Sequence, residues 1–139
     1  MYQQLTIVGN LGRDPEMRYT PDGDPVTTLS IATNRKWNNK DGSKGQETAW
    51  FRVTAWRRQA EIAAQYLHKG DQVMIVGRLS PDKQTGGPSI WTAQDGTPRA
   101  NYEVTAERVV LLGNKGGTQQ PQNQQHRQTT QTQNNTAPF

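Results

Sequence analysis

The sequence contains no cysteine among its 139 residues. That absence excludes a disulfide framework and a zinc–thiolate site, and with them the secreted mini-protein and zinc-finger classes. Histidine is nearly absent too: His68 and His126 stand alone, with no second ligand at metal-binding spacing. No apolar run approaches the ~18 residues that a membrane span requires. Met1-Tyr2 leads almost directly into a strand-like run at Leu5, so no signal or transit peptide is expected. Neither a Gly-rich phosphate loop ending in Lys-Ser/Thr nor a nucleophile elbow is present. The one close carboxylate pair, Asp22 and Asp24, flanks Gly23 between Pro21 and Pro25, which is turn chemistry. No catalysis, metal or cofactor is therefore expected.

Apolar residues are also scarce, at 31% of the chain against ~45% for a globular domain. The deficit is local. Residues 1–113 carry 41 of the 43 apolar side chains, and only Ala137 and Phe139 follow. Acidic residues stop as well, the last being Glu107. A Gln-, Asn- and Thr-rich segment with so little to bury cannot offset its ordering entropy, so residues 114–139 are expected to be a disordered tail. Residues 1–113 suffice for one small domain with a core. The net charge of +4 divides evenly, 14 − 12 in the domain and Lys115 plus Arg127 in the tail. Such a balance is compatible with a nucleic-acid partner without requiring one.

What is present reads as strands. Strand-like runs occupy Leu5–Leu11, Val26–Asn34, Thr48–Arg57, Gln72–Leu79 and Asn101–Leu112, with Asp22-Gly23, Asp41-Gly42 and Asp95-Gly96 as turn signals. Between the third and fourth runs, Ile62, Ala63, Tyr66 and Leu67 share a helical face, predicting a helix over Gln59–His68 that Lys69-Gly70 stops. Three strands, a helix and two strands is the order of an all-β OB-fold, a five-stranded Greek-key barrel used for oligonucleotides.

The run Ala49-Trp50-Phe51-Arg52-Val53-Thr54-Ala55-Trp56 carries the functional signal. Side chains alternate faces along a strand, so Ala49, Phe51, Val53 and Ala55 form a core face. Trp50, Arg52, Thr54 and Trp56 then stand in one row on the other. Two indoles with a guanidinium and a hydroxyl between them do not suit a dry interior. They suit a platform on which unpaired bases stack, at ~1–3 kcal/mol per base. Two more indoles, Trp37 and Trp91, sit in polar, loop-like surroundings. Trp37 follows Arg35-Lys36, and Arg99 lies near Trp91. Cations grouped beside aromatics suit a phosphate chain carrying bases. The residues alone leave open single-stranded DNA, single-stranded RNA, and a replisome or primosome adaptor that mainly docks proteins.

The segments Val8-Gly9-Asn10-Leu11-Gly12-Arg13-Asp14-Pro15-Glu16, Thr48-Ala49-Trp50-Phe51-Arg52-Val53, Tyr66-Leu67-His68-Lys69-Gly70 and Val76-Gly77-Arg78-Leu79 give this chain a further identity. Over about residues 4–113 it resembles the bacterial-type single-stranded DNA-binding proteins. The resemblance implies an OB-fold protomer of a cytoplasmic, nucleoid-associated homotetramer that coats single-stranded DNA in replication, recombination and repair. It places base stacking on Trp37, Trp50, Trp56 and Trp91, and backbone contacts on Arg35, Lys36, Arg52 and Arg99. Arg57-Arg58 stands where the family often has glycine after the aromatic, a departure that implies either an extended basic track or an altered turn into the helix. The family's partner-docking tip maps onto Pro138 and Phe139, here without the acidic residues that usually precede it.

Overall fold

Buried and exposed residues alternate along the chain and set out eight strands and one helix in a computed structural model that describes residues 1–114. The expected tail beyond that point, with Pro138 and Phe139, lies outside the described residues. The elements are β1 (Leu5–Leu11), β2 (Glu16–Tyr19), β3 (Pro25–Asn38), β4 (Lys44–Trp56), α1 (Arg57–Tyr66), β5 (Asp71–Leu79), β6 (Ile90–Thr92), β7 (Pro98–Ala100) and β8 (Tyr102–Asn114).

Five of these strands close a barrel. β1 pairs antiparallel with β5, β5 with β8, and β3 with β4, while β4 and β8 run parallel. The end of β1 then meets β3 through Asn10↔Ala32 and Leu11↔Ile31, which completes the ring. β2 continues the line of β1 along β3, and the Gly12 N–H donates to the Ser30 carbonyl at 2.9 Å between them. This is the OB-fold arrangement, and the five strands expected from sequence are β1, β3, β4, β5 and β8.

The interior is aliphatic. Leu29 and Ile31 of β3, Val53 and Ala55 of β4, Val73 and Ile75 of β5, and Val104 of β8 are buried together. Removing one such side chain, as in Leu29→Ala, is worth ~2–5 kcal/mol. α1 closes one end of the barrel through Ala60 and Ala63, whose small side chains let its backbone approach closely. The buried Thr27 hydroxyl donates to the Ala60 carbonyl at 2.8 Å and ties the helix to β3.

Three local expectations need correction. The helix spans Arg57–Tyr66, not Gln59–His68: Leu67 leaves it in extended conformation (φ −97, ψ 143). That turn lets Leu67 drop into the core, so its place in the helical pattern marks burial and not helix. Trp37, expected in a loop, lies in β3, which runs on to Asn38 against β4. Trp91, also expected in a loop, lies in β6, which forms a separate two-stranded ribbon with β7. The three Asp-Gly signals do become turns, closed by Gly23 N–H to Thr20 O, Gly42 N–H to Asn39 O and Gly96 N–H to Ala93 O.

Candidate nucleic-acid interface

β4 separates its two faces as alternation requires. Val53 and Ala55 are buried and Phe51 is half-buried, while Trp50, Arg52 and Trp56 are exposed and Thr54 is half-buried. The two indoles expose 53% and 45% of their surface, far too much for core residues. They stand six residues apart, which at ~3.3 Å per residue separates them by about 20 Å along the strand.

Trp50 anchors a cleft. Its indole lies against Gly12, where an added Cβ would sit 2.5 Å from Trp50 Cζ3, so no other residue leaves room for the ring. Trp91 of the β6–β7 ribbon and Arg52 share with it an open cleft of about 400 Å³, which Arg13, Phe51 and Asn101 also line. Directly across the ribbon from Trp91, Arg99 lies 3.9 Å from the Asp95 carboxylate. The Thr97 backbone N–H and then its hydroxyl hold Asp95 below the usual carboxylate range.

Trp37 occupies a different place. It sits near the tip of the β3–β4 hairpin, with its indole over Gly45, again where a Cβ would collide. The Arg35 guanidinium carbon lies 5.1 Å from the ring centroid, a cation–π arrangement. The indole N–H donates to Asn39 Oδ1 at 3.0 Å. Lys36, Lys44 and Trp37 line an open cleft of about 450 Å³. Parity along the strands puts Trp37 and Arg35 on one face of this ribbon, and Lys36 on the other with Trp50. Beyond the barrel both faces meet solvent.

Trp56 closes the opposite end of β4. It pairs with Val26, which pairs in turn with Arg18 of β2, so Arg18 and Trp56 flank the same outer row. Arg57 follows at φ 54, the one non-glycine residue among those described in the left-handed region. Its guanidinium lies 3.8 Å from Asp24.

The structure thus brings Trp50, Trp91 and Arg52 into one cleft. Trp37, with Arg35 and Lys36, and Trp56, with Arg57, stand at the two ends of the same long ribbon. Arg13 and Arg18 join this surface without having been singled out, and Lys44, one of the cations that the sequence groups near Trp37, joins it too. Arg13 and Lys44 line the clefts, and Arg18 donates to the Thr28 hydroxyl at 3.2 Å. Arg13 lies within a segment already quoted and Lys44 near the Asp41-Gly42 turn, whereas only strand pairing brings Arg18 to Trp56. All four arginines expected to contact nucleic acid are held by carboxylates: Arg35 by Glu47 at 3.0 Å, Arg52 by Glu103 at 3.6 Å, and Arg57 and Arg99 as above.

Known proteins with this arrangement converge on one family. Residues 2–112 match the model of the Single-strand binding protein family. A single-stranded DNA-binding protein of Helicobacter hepaticus is 39% identical over 137 residues, covering 98% of this chain and 76% of its own length. Its counterpart in Wolinella succinogenes is 43% identical over 119 residues, covering 86% of this chain and 69% of its own. Among solved structures, a deletion mutant of the single-stranded DNA binding protein from Thermus aquaticus superposes with a TM-score of 0.60 at 27% identity. That match covers 81% of this chain, which spans about half (51%) of the Thermus aquaticus chain. The Plasmodium falciparum SSB complex with ssDNA gives a TM-score of 0.66 at 22% identity over 81% of this chain and 96% of the other, a likeness of fold.

Proposed function

The chain belongs to the single-strand binding protein family, and from that premise we propose that it coats unpaired DNA without strong sequence preference. The observation that carries this reading is the exposed row Trp50, Arg52 and Trp56 on β4, widened by Trp91 into a cleft and by Trp37 at the hairpin tip. Every base has a π-face, so indoles spaced along a ribbon hold a strand whatever its sequence. Arg35, Lys36, Arg52, Arg57 and Arg99 take the phosphates. The protein binds and protects; it turns nothing over.

A homotetramer fits a second surface. Val8 of β1, Met74 of β5 and Val110 of β8 are register partners and form an apolar row across the outside of the barrel, on the sheet away from the tryptophans. Val8 exposes 48% of its surface and Leu112 beyond it 44%, which a second copy of the chain would cover. In this reading the protein serves replication, recombination and repair in the cytoplasm, at the nucleoid. Replication and repair proteins would dock on Pro138 and Phe139, which lie outside the described residues.

The decisive experiment is a titration of intrinsic tryptophan fluorescence with poly-dT at several salt concentrations, beside a solution mass measurement. Strong quenching is expected, with log K falling linearly in log salt by about 0.7 per phosphate neutralised. Absence of quenching would remove the stacking assignment. Equal affinity for a matched RNA oligomer would replace DNA preference by general single-strand binding.

A further inference from the structure

A second cleft, of about 310 Å³, lies beside the Trp50–Trp91 cleft, between the end of β5, the loop that follows it and the start of β8. Tyr102 forms one wall and is 64% exposed; Leu79, Gly86, Gly87 and Pro88 face it. A tyrosine this open at the head of a strand leaves most of its surface available to a ligand in the cleft. Opposite it, two glycines leave the backbone bare. A Cβ on Gly86 would meet nothing within 4 Å and one on Gly87 only the Thr85 hydroxyl, at 3.7 Å. A flat group has room to lie between the ring and that backbone.

The walls are held in place before any ligand arrives. Asp82 closes the loop from within, its N–H donating to the Gly87 carbonyl at 2.8 Å and its carbonyl accepting from the Gly86 N–H at 2.9 Å. Its carboxylate accepts the Thr85 and then the Gln84 N–H group, which pull its pKa below the ordinary range. Ser80 ties the root of the loop to β8, by its N–H to the Glu103 carbonyl at 2.8 Å and by its hydroxyl to Thr105 at 2.6 Å. Tyr102 is steadied by Phe51, ring centroids 5.7 Å apart and planes tilted by 39°.

The two clefts adjoin at Asn101. Asn101 lines both, and Phe51 lines the first while packing on the tyrosine of the second. The only charge on the wall is Glu103, and Arg52 lies 3.6 Å from it. An apolar slot beside a stacking platform, with no cation of its own, fits an uncharged aromatic group and not a phosphate. We infer that Tyr102 and the Gly86–Pro88 segment form an additional subsite for one unpaired nucleobase, adjoining the Trp50–Trp91 cleft. This rests on the reading of that cleft as a single-strand path, and it lengthens the path by a nucleotide on the side of β8.

The test uses the full chain titrated with dT oligomers, with thermal melts to verify folding. Tyr102→Ala is expected to weaken binding about fivefold or more, as loss of one stacked base implies. Tyr102→Phe keeps the ring and should stay within twofold of the parent. Tyr102→Leu preserves an apolar contact with Phe51 but has no π-face, and should bind as poorly as the alanine variant. Trp50→Ala separates the two readings. If it binds weakly while Tyr102→Ala and Tyr102→Leu bind like the parent, the Tyr102 subsite is overturned and the tryptophan path stands. If Trp50→Ala also binds like the parent, both fall together.

Discussion

The exposed row of β4 runs from Trp50 at mid-strand to Trp56 at the strand's last position, and its two ends present the same kind of residue in opposite ways. Trp50 rests on Gly12, a position emptied of side chain, and faces Trp91 across a cleft with Arg13 and Arg52. Trp56 is the last residue of its strand, and the backbone turns into α1 through Arg57 in a left-handed conformation that most side chains avoid. One indole is placed by removing a Cβ, the other is followed by a residue that keeps its Cβ and accepts strain. An aromatic seated on a glycine is placed without backbone strain, at the cost only of the chain entropy that glycine loses on folding. A guanidinium held at positive φ costs ~1–2 kcal/mol and persists where its placement serves another purpose.

The largest effect that would sharpen this contrast is expected at the Trp50 end. Trp50→Ala should lower affinity for poly-dT by about tenfold or more, within the ~1–3 kcal/mol of a stacked base. Gly12→Ala should approach the same loss without touching the indole itself, because its Cβ displaces the ring from the position it occupies. Both follow from fluorescence or anisotropy titration, with thermal melts to confirm that the barrel is intact. Trp56→Ala should lose less, since no second indole shares its surroundings. Equal losses at the two ends would erase the distinction between them.

The β4 contrast was half legible in the sequence. Alternation alone separates Trp50, Arg52 and Trp56 from Phe51, Val53 and Ala55, because a strand with one buried face has no other register. The barrel order follows from apolar runs and Asp-Gly turns for the same reason. The placement of Trp91 in a strand escaped because β6 and β7 are three residues each, set among Gly and Pro that ordinarily break strands. The placement of Trp37 in β3 escaped because Asn34-Arg-Lys-Trp-Asn has little strand propensity, and the pairing of Arg35 with Glu47 across the ribbon extends the strand anyway. Gly12 under Trp50 joins residues 38 positions apart through the β1–β3–β4 order, which no local pattern carries. The Arg52–Glu103 pair likewise exists only because β8 runs parallel to β4 at that register.

At the Trp56 end the expected change is smaller and has two signs. Arg57→Gly relieves the left-handed strain but adds chain entropy to the unfolded state, which offsets part of the gain. A net stabilisation of about 0.5–1 kcal/mol is expected, a rise of a few degrees in Tm by calorimetry. The same variant should bind poly-dT about two- to fivefold more weakly at low salt, with a shallower salt slope, having lost one cation. A variant that is more stable and binds as well as the parent would leave the strain without a function.

The smallest effect concerns what the two ends share. Arg52 is held by Glu103, and Arg57 by Asp24. Both pairs are at least partly exposed, where an ion pair is worth ~0–1 kcal/mol, so phosphate can displace the carboxylate readily. The acid nevertheless stays beside the site and repels the incoming strand. Neutralising it removes that repulsion and frees the guanidinium without altering the shape of either side chain. Glu103→Gln and Asp24→Asn should therefore each raise affinity about two- to threefold at low ionic strength, and the gain should fade toward ~1 M salt, where the Debye length shrinks to ~3 Å. Because Arg52 lies in the Trp50–Trp91 cleft and Arg57 does not, the gain should be larger for Glu103→Gln. A loss of affinity in either variant would mean that the carboxylate's service is to aim its arginine, and that orientation outweighs competition at that end of the strand.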